Sequence, residues 1–438
     1  MKFKLILIIS ILLTFKLLAQ HVDSLKNERF TIHAQTTIIN QNKTSFSAKY
    51  SGSNSLTTNA ESQTSLTSTL YLGARLWKGA GIIMNPEIAG GAGLSGTLGI
   101  ASAPNGETYR IGNPAPQIYL ARIYYTQNFA LNNDQTFQKS DLNQFAGKLP
   151  SSYLSATIGK ISISDFFDKN KLSHDPRTQF MSWGLMSNGA WDYPANTRGY
   201  TPSMVLEYVT PANELRYAFS LVATVANGSI MNWDISKAGS HSLEFTHKYK
   251  IKNQEGTVRL LGFYTLAHMG SYLQSIALKP LNPVIQDVEK YGNTKYGVGI
   301  NAEQNITDDL GCFFRASWND GNNETWAFTE IDRTVSGGLT MKGTKWNRKN
   351  DQLGLAFVVS GISKPHQEYL KAGGNGFILG DGYLNYSPEQ LYEIYYSFEL
   401  VPNSIFVTGT YQLLKNPGYN TDRSGPVNIF SMRMHLWI

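Results

Sequence analysis

The chain has 438 residues, a net charge of +6 and only 16% charged residues. No run of lysine or arginine occurs, so the charge pattern argues against a nucleic-acid partner. The single cysteine, Cys312, excludes an internal disulfide.

The first predicted element is a secretory signal peptide at residues 1–20. Lys2 and Lys4 precede an apolar run from Leu5 to Leu13, and Leu17-Leu18-Ala19 supplies a cleavage site. The run is too short to cross a bilayer as a helix, which needs about 20 residues. We therefore expect an exported chain whose mature part, residues 21–438, forms a single domain.

Alternation of apolar and polar residues with period two dominates the mature chain. It is clear in segments 30–38, 66–76, 214–225 and 310–319. This pattern predicts strands with one face toward lipid or a core and the other toward water. Cys312 falls on the apolar face of its segment, which predicts a buried, inert thiol rather than a catalytic one.

Strand length and loop lengths favour a membrane barrel over a soluble β-sandwich. Many segments exceed the roughly 5–6 residues of a typical soluble strand and reach the roughly 9–11 that cross a bilayer at a tilt. Short turns alternate with long loops, as in outer-membrane barrels. The short turns are 78–79, 210–213, 252–256, 305–309 and 401–403. The long loops are 41–63, 89–116, 165–202, 268–293 and 361–390.

Counting these segments predicts an antiparallel barrel of sixteen strands. Clear strands begin near 29, 64, 80, 117, 151, 203, 214, 241, 257, 294, 310, 350, 391, 404 and 426. Their directions alternate only if one more descending strand lies between 320 and 349, and the pattern at Thr325–Ile331 is the best match. The connections 130–150 and 332–349 are long for turns, which leaves eighteen strands as the alternative. The alternating carboxyl-terminal strand is expected to close on the first.

Several motifs, taken in order, resemble the carbohydrate-selective porins of Gram-negative outer membranes over nearly all of the mature chain. The matching stretches are Tyr71-Leu-Gly-Ala-Arg-Leu-Trp77, Asn85-Pro-Glu87, Gly90-Gly-Ala-Gly-Leu-Ser95, Pro104-Asn-Gly-Glu107, His174-Asp-Pro-Arg-Thr-Gln-Phe180, Gly189-Ala-Trp-Asp-Tyr-Pro194, Arg198-Gly-Tyr200, Gly382-Tyr-Leu-Asn-Tyr-Ser-Pro-Glu389 and Asn416-Pro-Gly-Tyr-Asn420. The resemblance implies a water-filled barrel in the cell outer membrane that passes mono- or oligosaccharides passively. It further implies inward-folded loops, no cofactor, and either a monomer or, as in general porins, a homo-trimer.

On this count the crowded stretch 165–202 is the third outer loop, where general porins narrow the pore. Its charges at Asp175, Arg177, Asp192 and Arg198 are predicted to line a constriction, since opposed charged rings tune pores. Trp191, with Trp183 and Tyr193, is expected to stack on sugar rings. The alternative is that these side chains only hold the loop together, because conspicuous loop residues are only a hint of function.

A second candidate set comprises Glu87, Glu107, Arg110 and Arg122. Arg122 shares a predicted face with Tyr124, opposite Tyr119. A charge on the lipid face near the midplane costs about 2–4 kcal/mol, so Arg122 should point into the lumen. The same cost predicts that Arg75 and Arg315 face the lumen. A barrel interior also contains solvated arginines that touch no solute, so lumen-facing does not by itself mean solute-contacting.

The sequence disfavours catalysis. Carboxylates such as Asp165, Asp168 and Asp192 are close in sequence, as glycosidases require, but G-x-S-x-G and H-E-x-x-H are both missing from the chain. We therefore predict a passive carbohydrate channel without a metal. A general or anion-leaning diffusion porin is the alternative within that class. A secreted β-rich glycan-binding protein or hydrolase is the alternative from another class.

Overall fold

A computed structural model describes residues 27–108 and 115–438 of the chain. The predicted signal peptide and Arg110 lie outside the described residues. The strands are β1 (Phe30–Lys43), β2 (Glu61–Trp77), β3 (Ala80–Gly91), β4 (Gln117–Ala130), β5 (Gln135–Gln138), β6 (Gly147–Pro150), β7 (Tyr153–Ile161), β8 (Thr201–Val209), β9 (Asn213–Ser220), β10 (Gly239–Ile251), β11 (Gln254–Met269), β12 (Lys290–Asn305), β13 (Leu310–Asn319), β14 (Arg333–Gly343), β15 (Arg348–Gly361), β16 (Glu389–Val401), β17 (Ile405–Lys415) and β18 (Val427–Trp437). The helices are α1 (Trp183–Met186), α2 (Tyr272–Leu278) and α3 (Lys364–Lys371).

Sixteen of these strands form one closed antiparallel barrel, in which each strand pairs with its neighbours along the chain. The barrel closes through β1 and β18, with Gln35 opposite Trp437, so the predicted pairing of the last strand with the first is confirmed. The eighteen-strand alternative is wrong for the barrel. The extra pair, β5 and β6, forms a separate two-stranded sheet inside the connection that looked too long for a turn.

The period-two pattern fixes which side chains point inward. On β2, Thr67, Thr69 and Tyr71 are buried while Leu70 and Leu76 are exposed. An apolar surface on the outer face of a barrel meets lipid rather than water. Other exposed apolar residues on the outward parity are Ile32, Ile118, Ile158, Leu243, Leu260 and Leu355. Within the described residues, no helix is both long and apolar enough to cross a membrane.

The predicted strand at Thr325–Ile331 is wrong, because the descending strand is β14, eight residues later. Residues 325–331 form a buried loop, in which Trp326 and Phe328 pack inside the barrel. The adjacent Gly337 and Gly338 in the middle of β14 weaken its strand signal, since glycine offers no side chain to pack. With β14 in place, the connection to β15 shrinks to the short segment 344–347.

The two ends of the barrel differ in their connections. At one end, here called the turn end, strands are joined by tight turns such as Lys252-Asn253, where both residues have positive φ. At the other, the loop end, the connections are loop 1 (44–60), loop 2 (92–116), loop 3 (162–200), loop 4 (221–238), loop 5 (270–289), loop 6 (320–332), loop 7 (362–388) and loop 8 (416–426). The exception at the turn end is the connection between β4 and β7, here called the β5–β6 hairpin (131–152).

Candidate pore constriction

Loop 3 runs inside the barrel, and its backbone is held by carboxylates that point inward from the wall. Glu244 on β10 accepts a hydrogen bond from Asp168 N at 2.7 Å. Glu393 on β16 accepts from Met181 N at 2.7 Å and from Ser182 N at 3.2 Å. A loop inside a barrel has no neighbouring strand, so its buried N–H groups need other acceptors. Charged acceptors give the stronger hydrogen bonds.

Arg315 is one of the wall residues that hold loop 3. Its side chain is almost completely buried against Asp168, with Nε 3.2 Å from Oδ1. It also donates to the backbone oxygen of Leu185 at 2.8 Å. Asp168 in turn accepts from Asn188 N at 2.6 Å. Arg315 points inward as predicted from its cost in lipid, and the groups that it contacts belong to loop 3.

Trp191 and Asp192 are also engaged within the loops. Trp191 is 1% exposed and packs between Phe167 and Tyr193, with ring centroids 6.2 Å and 5.4 Å away. The Asp192 carboxylate accepts from the backbone of loop 6, at Trp326 N, Ala327 N and Phe328 N. In this structure neither side chain offers a surface to a solute. Both join loop 3 to its surroundings, which matches the alternative of a loop held together by its own residues.

The guanidinium of Arg177 contacts two of the other candidate site residues. Nε lies 2.8 Å from Glu107 of loop 2, and Nη2 lies 3.2 Å from Glu87 of β3. Nη1 donates to the Tyr71 hydroxyl at 3.1 Å. Burial raises the pKa of the Glu107 carboxyl, and Arg177 offsets only part of that effect. The three charges join loops 2 and 3 to the wall, although they are far apart in the sequence.

Asp175 shapes the backbone that presents Arg177. Its Oδ1 accepts from Arg177 N at 3.0 Å and its Oδ2 accepts from the Thr178 hydroxyl at 2.9 Å, which is the local bonding that makes aspartate common in turns. Burial alone would raise the pKa of the Asp175 carboxyl, but Arg177 outweighs it and the net direction is downward.

A β-bulge corrects the predicted orientation of Tyr119. Strand β4 pairs with β3 so that Arg122 is opposite Asn85 but Tyr119 is opposite Glu87, and the register shifts between them. The extra residue in β4 turns both Tyr119 and Arg122 inward, as bulges do. The Tyr119 hydroxyl donates to Glu87. The prediction that Tyr119 lies opposite Arg122 is therefore wrong.

Arg122 forms a two-pronged ion pair with Asp165 at the start of loop 3. Nε and Nη2 lie 2.6 Å and 2.8 Å from the two carboxylate oxygens. Burial alone would raise the pKa of Asp165, but Arg122 outweighs it and holds that pKa below its ordinary value. The side chains of Arg122 and Asp165 are 12% and 31% exposed, whereas those of Arg315 and Asp168 are 1% and 0%. The pair at Arg122 thus remains in contact with water.

Cations and tyrosines surround this pair. Arg122 and Lys160 lie over the Tyr200 ring, 5.1 Å and 5.9 Å from its centroid. Arg198 lies 4.0 Å from the centroid of Tyr119 and donates to Gln117 at 2.6 Å. The neighbourhood is therefore rich in positive charge and ring faces, the combination that cation–π contacts use.

Arg75 lies apart from the other candidates, at the turn end of β2. It donates to the backbone oxygens of Glu28 and Ala146 at 2.9 Å and 3.1 Å, and its guanidinium is 5.1 Å from the ring centroid of Phe145. Arg75 faces the lumen, but it contacts the β5–β6 hairpin rather than the other charges.

Sequence reasoning missed several residues at the site. Tyr119 and Tyr200 were not singled out, because their roles depend on a bulge and on the end of a loop.

Two charged residues were also missed. Lys169 is exposed although its neighbours Asp168 and Asn170 are buried. Arg216, on β9, is 2.7 Å from Glu207. The alternation in β9 placed Arg216 on the polar face, and that signal was available to find it.

The fold and the site together define the class of protein. A closed sixteen-stranded barrel with an apolar outer face, inward-folded loops and ion pairs in its interior is a porin-type channel. The model of the carbohydrate-selective porin OprB family matches residues 53–436. The chain belongs to this family, and it is an outer-membrane channel through which carbohydrates diffuse.

Solved structures show the same fold. The high-pH structure of Pseudomonas putida OprB is similar with a TM-score of 0.70 and 15% identity, covering 93% of this chain and 94% of that chain. The outer-membrane channel DcaP of Acinetobacter baumannii is similar with a TM-score of 0.51 and 10% identity, covering 95% and 100%. No curated protein sequence matches the chain significantly. The family and the closed barrel support an outer-membrane channel rather than the alternative of a secreted β-rich glycan-binding protein or hydrolase.

Proposed function

We propose that loop 3 is the constriction and that a passing sugar contacts the Arg122–Asp165 pair. The observation that carries this is the exposure of the Asp165 carboxylate, because the side chains of Arg122 and Arg177 are equally exposed at 12%. Asp165 keeps 31% of its side chain open, while the carboxylates paired with Arg177 keep 3% and 8%. A solute can hydrogen-bond only to groups that water reaches.

The chemistry of the pair suits a sugar. A guanidinium presents donors in a planar fork and a carboxylate presents only acceptors, so adjacent hydroxyls of a sugar ring find both kinds of partner. Tyr200 adds a ring face beside them. In this proposal Arg177, Glu87 and Glu107 hold the constriction in shape and Arg122 with Asp165 contacts the solute.

Current block in planar bilayers tests the proposal. Asp165→Asn removes one charge and keeps the side-chain size, and Arg122→Gln removes one charge and leaves a shorter polar side chain. A hydrogen bond to a charged group contributes about 1.5–3 kcal/mol, so the monosaccharide concentration for half-block should rise about tenfold or more.

A matched control is Arg348→Gln, which breaks an arginine–aspartate pair at the start of β15, where Nε lies 2.6 Å from Asp351. This variant should leave the block unchanged. Wild-type block in both Asp165→Asn and Arg122→Gln would remove the pair from the mechanism.

A second candidate is an anion-leaning channel. Lys160 shares the Tyr200 ring with Arg122, and Arg198 lies over the Tyr119 ring. These three cations outnumber the two carboxylates of this neighbourhood, Asp165 and Glu87. Rings of basic side chains favour anions. The reversal potential in a salt gradient separates the candidates: strong anion preference without sugar block would favour the second over the first.

A further inference from the structure

The β5–β6 hairpin enters the lumen from the turn end. Asn85, on the inward face of β3 and completely buried, donates from its side chain to the Asn143 side-chain oxygen at 2.8 Å. Asn85 precedes Glu87 by two residues on the same face, a rise of about 6.6 Å along the strand. The hairpin therefore reaches to within two residues, measured along β3, of Glu87, which belongs to the constriction built by loop 3.

The barrel wall is shaped to receive the hairpin. Phe145 lies against two glycines on the inner wall, Gly73 of β2 and Gly81 of β3. A Cβ atom at either glycine would stand 2.9 Å from the Phe145 ring, closer than carbon atoms approach without displacement. Glycine is suited to such a close approach. The wall leaves room for this ring at two adjacent strands.

Charged and polar groups anchor the same segment. The Glu28 carboxylate accepts from Ser140 Oγ at 2.9 Å and from Ala146 N at 2.7 Å. Arg75 binds the carbonyl oxygens of Glu28 and Ala146. Because Arg75 and Glu28 approach from the wall and from the chain before β1, segment 139–146 is held inside the mouth rather than beyond it.

Solutes leaving the constriction then meet a lumen that is narrowed on the β1–β4 side. Lys169 of loop 3 is exposed between two buried neighbours, and Arg216 of β9 pairs with Glu207 of β8 at 2.7 Å. The groups that anchor the hairpin are instead on β2, β3 and the chain before β1.

We propose that the β5–β6 hairpin is a second constriction, at the turn end, and that it limits the size of sugar that leaves the barrel. The proposal rests on the channel function of the family and adds a size filter distinct from the contacts at Arg122. It assigns Phe145 as a specificity-determining residue and Arg75 as a positioning residue.

Liposome swelling with a monosaccharide and a disaccharide tests this. Replacing residues 131–152 with Asn-Gly keeps the pairing of Ala130 with Tyr153, because two-residue turns of this kind close antiparallel strands. The ratio of disaccharide to monosaccharide rates should rise about twofold or more, since pore width sets solute selection. A heat-modifiable, folded variant with the wild-type ratio would overturn the proposal. Failure of the wild type to pass any sugar would instead count against the channel function.

A point variant covers the case in which the shortened chain does not fold. In a Cys312→Ser background, Phe145→Cys should raise single-channel conductance, and a bulky charged thiol reagent should then lower it. Phe137→Cys, in the same hairpin at a position 41% exposed, is the matched control and should show neither change. The proposal would be overturned if the conductance of Phe145→Cys stayed at the wild-type value before and after modification. It would also be overturned if the reagent could not reach the cysteine at position 145.

Discussion

Loop 3 and the β5–β6 hairpin are both chain segments inside the same barrel, but they are held differently. Loop 3 brings its own apolar residues, and Phe167, Phe180 and Leu185 have no exposed surface. Full burial of one large apolar side chain contributes about 1.5–3 kcal/mol. The hairpin buries little of this kind, since Phe137 is exposed and Phe145 is only partly buried.

The polar groups that hold the two segments differ in the same way, because those that hold loop 3 are more deeply buried. Carboxylates of the wall that hold loop 3, such as Glu244 and Glu393, are at most 1% exposed, while the hairpin depends on Glu28, outside the strands, and on hydrogen bonds near the mouth. Regions with few buried apolar contacts open at low free-energy cost. We therefore expect loop 3 to be a fixed part of the channel and the β5–β6 hairpin to be the part that opens at lower free-energy cost.

The largest expected effect comes from Arg315→Ala. Removing Arg315 leaves the buried Asp168 carboxylate without its ion-pair partner, which typically costs about 3–5 kcal/mol. Loop 3 should lose its fixed position, so single-channel current should become noisier and unfolding in denaturant should occur earlier.

Lys364→Ala is the control for Arg315→Ala, because Lys364 and its partner Glu368 are 75% and 47% exposed. An exposed pair of this kind contributes about 0–1 kcal/mol. Equal effects of the two variants would contradict a fixed, buried loop 3.

A smaller effect is expected from the same substitution in the carboxylate that holds each segment, Glu393→Gln and Glu28→Gln. Each removes the negative charge from an acceptor of backbone N–H groups, and at Glu393 it also replaces one of two accepting oxygens with an NH2 donor. Loss of a buried acceptor costs about 1–3 kcal/mol, so the cost should be larger at Glu393, which is 1% exposed. Amide hydrogen exchange at Met181 and at Ala146 measures the two. A larger change at Ala146 would reverse the comparison.

The barrel was predictable because apolar and polar residues alternate with a period of two in most of its strands. Segments 30–38 and 66–76 place polar and apolar residues on opposite faces without reference to any distant residue. The prediction failed where the period itself is interrupted. The extra residue in β4 turns Tyr119 inward, and Gly337-Gly338 hides β14. Counting along a pleat cannot detect an added residue.

The interior was less predictable, because its contacts join residues far apart in the chain. Arg177 meets Glu107 and Glu87, and Arg315 meets Asp168. The cost of a charge in lipid predicts that such residues face inward. It does not distinguish Arg122, which keeps contact with water, from Arg315, which is buried. That difference depends on how the loops fold, and no local pattern carries it.

The smallest expected effect is that of Asn143→Gly, which removes the side chain that meets Asn85. Asn143 has φ of 56°, a conformation that glycine adopts at no steric cost, so the variant removes the hydrogen bond without straining the backbone. Losing it should cost about 0.5–1.5 kcal/mol and speed amide exchange in the β5–β6 hairpin by roughly 2–10-fold. Asn347→Gly, at φ of 60° in the turn before β15, is the matched control and should leave the hairpin unchanged. If exchange in loop 3 rose together with exchange in the hairpin, the two segments would open as one unit, and the distinction between a fixed and a movable part would be wrong.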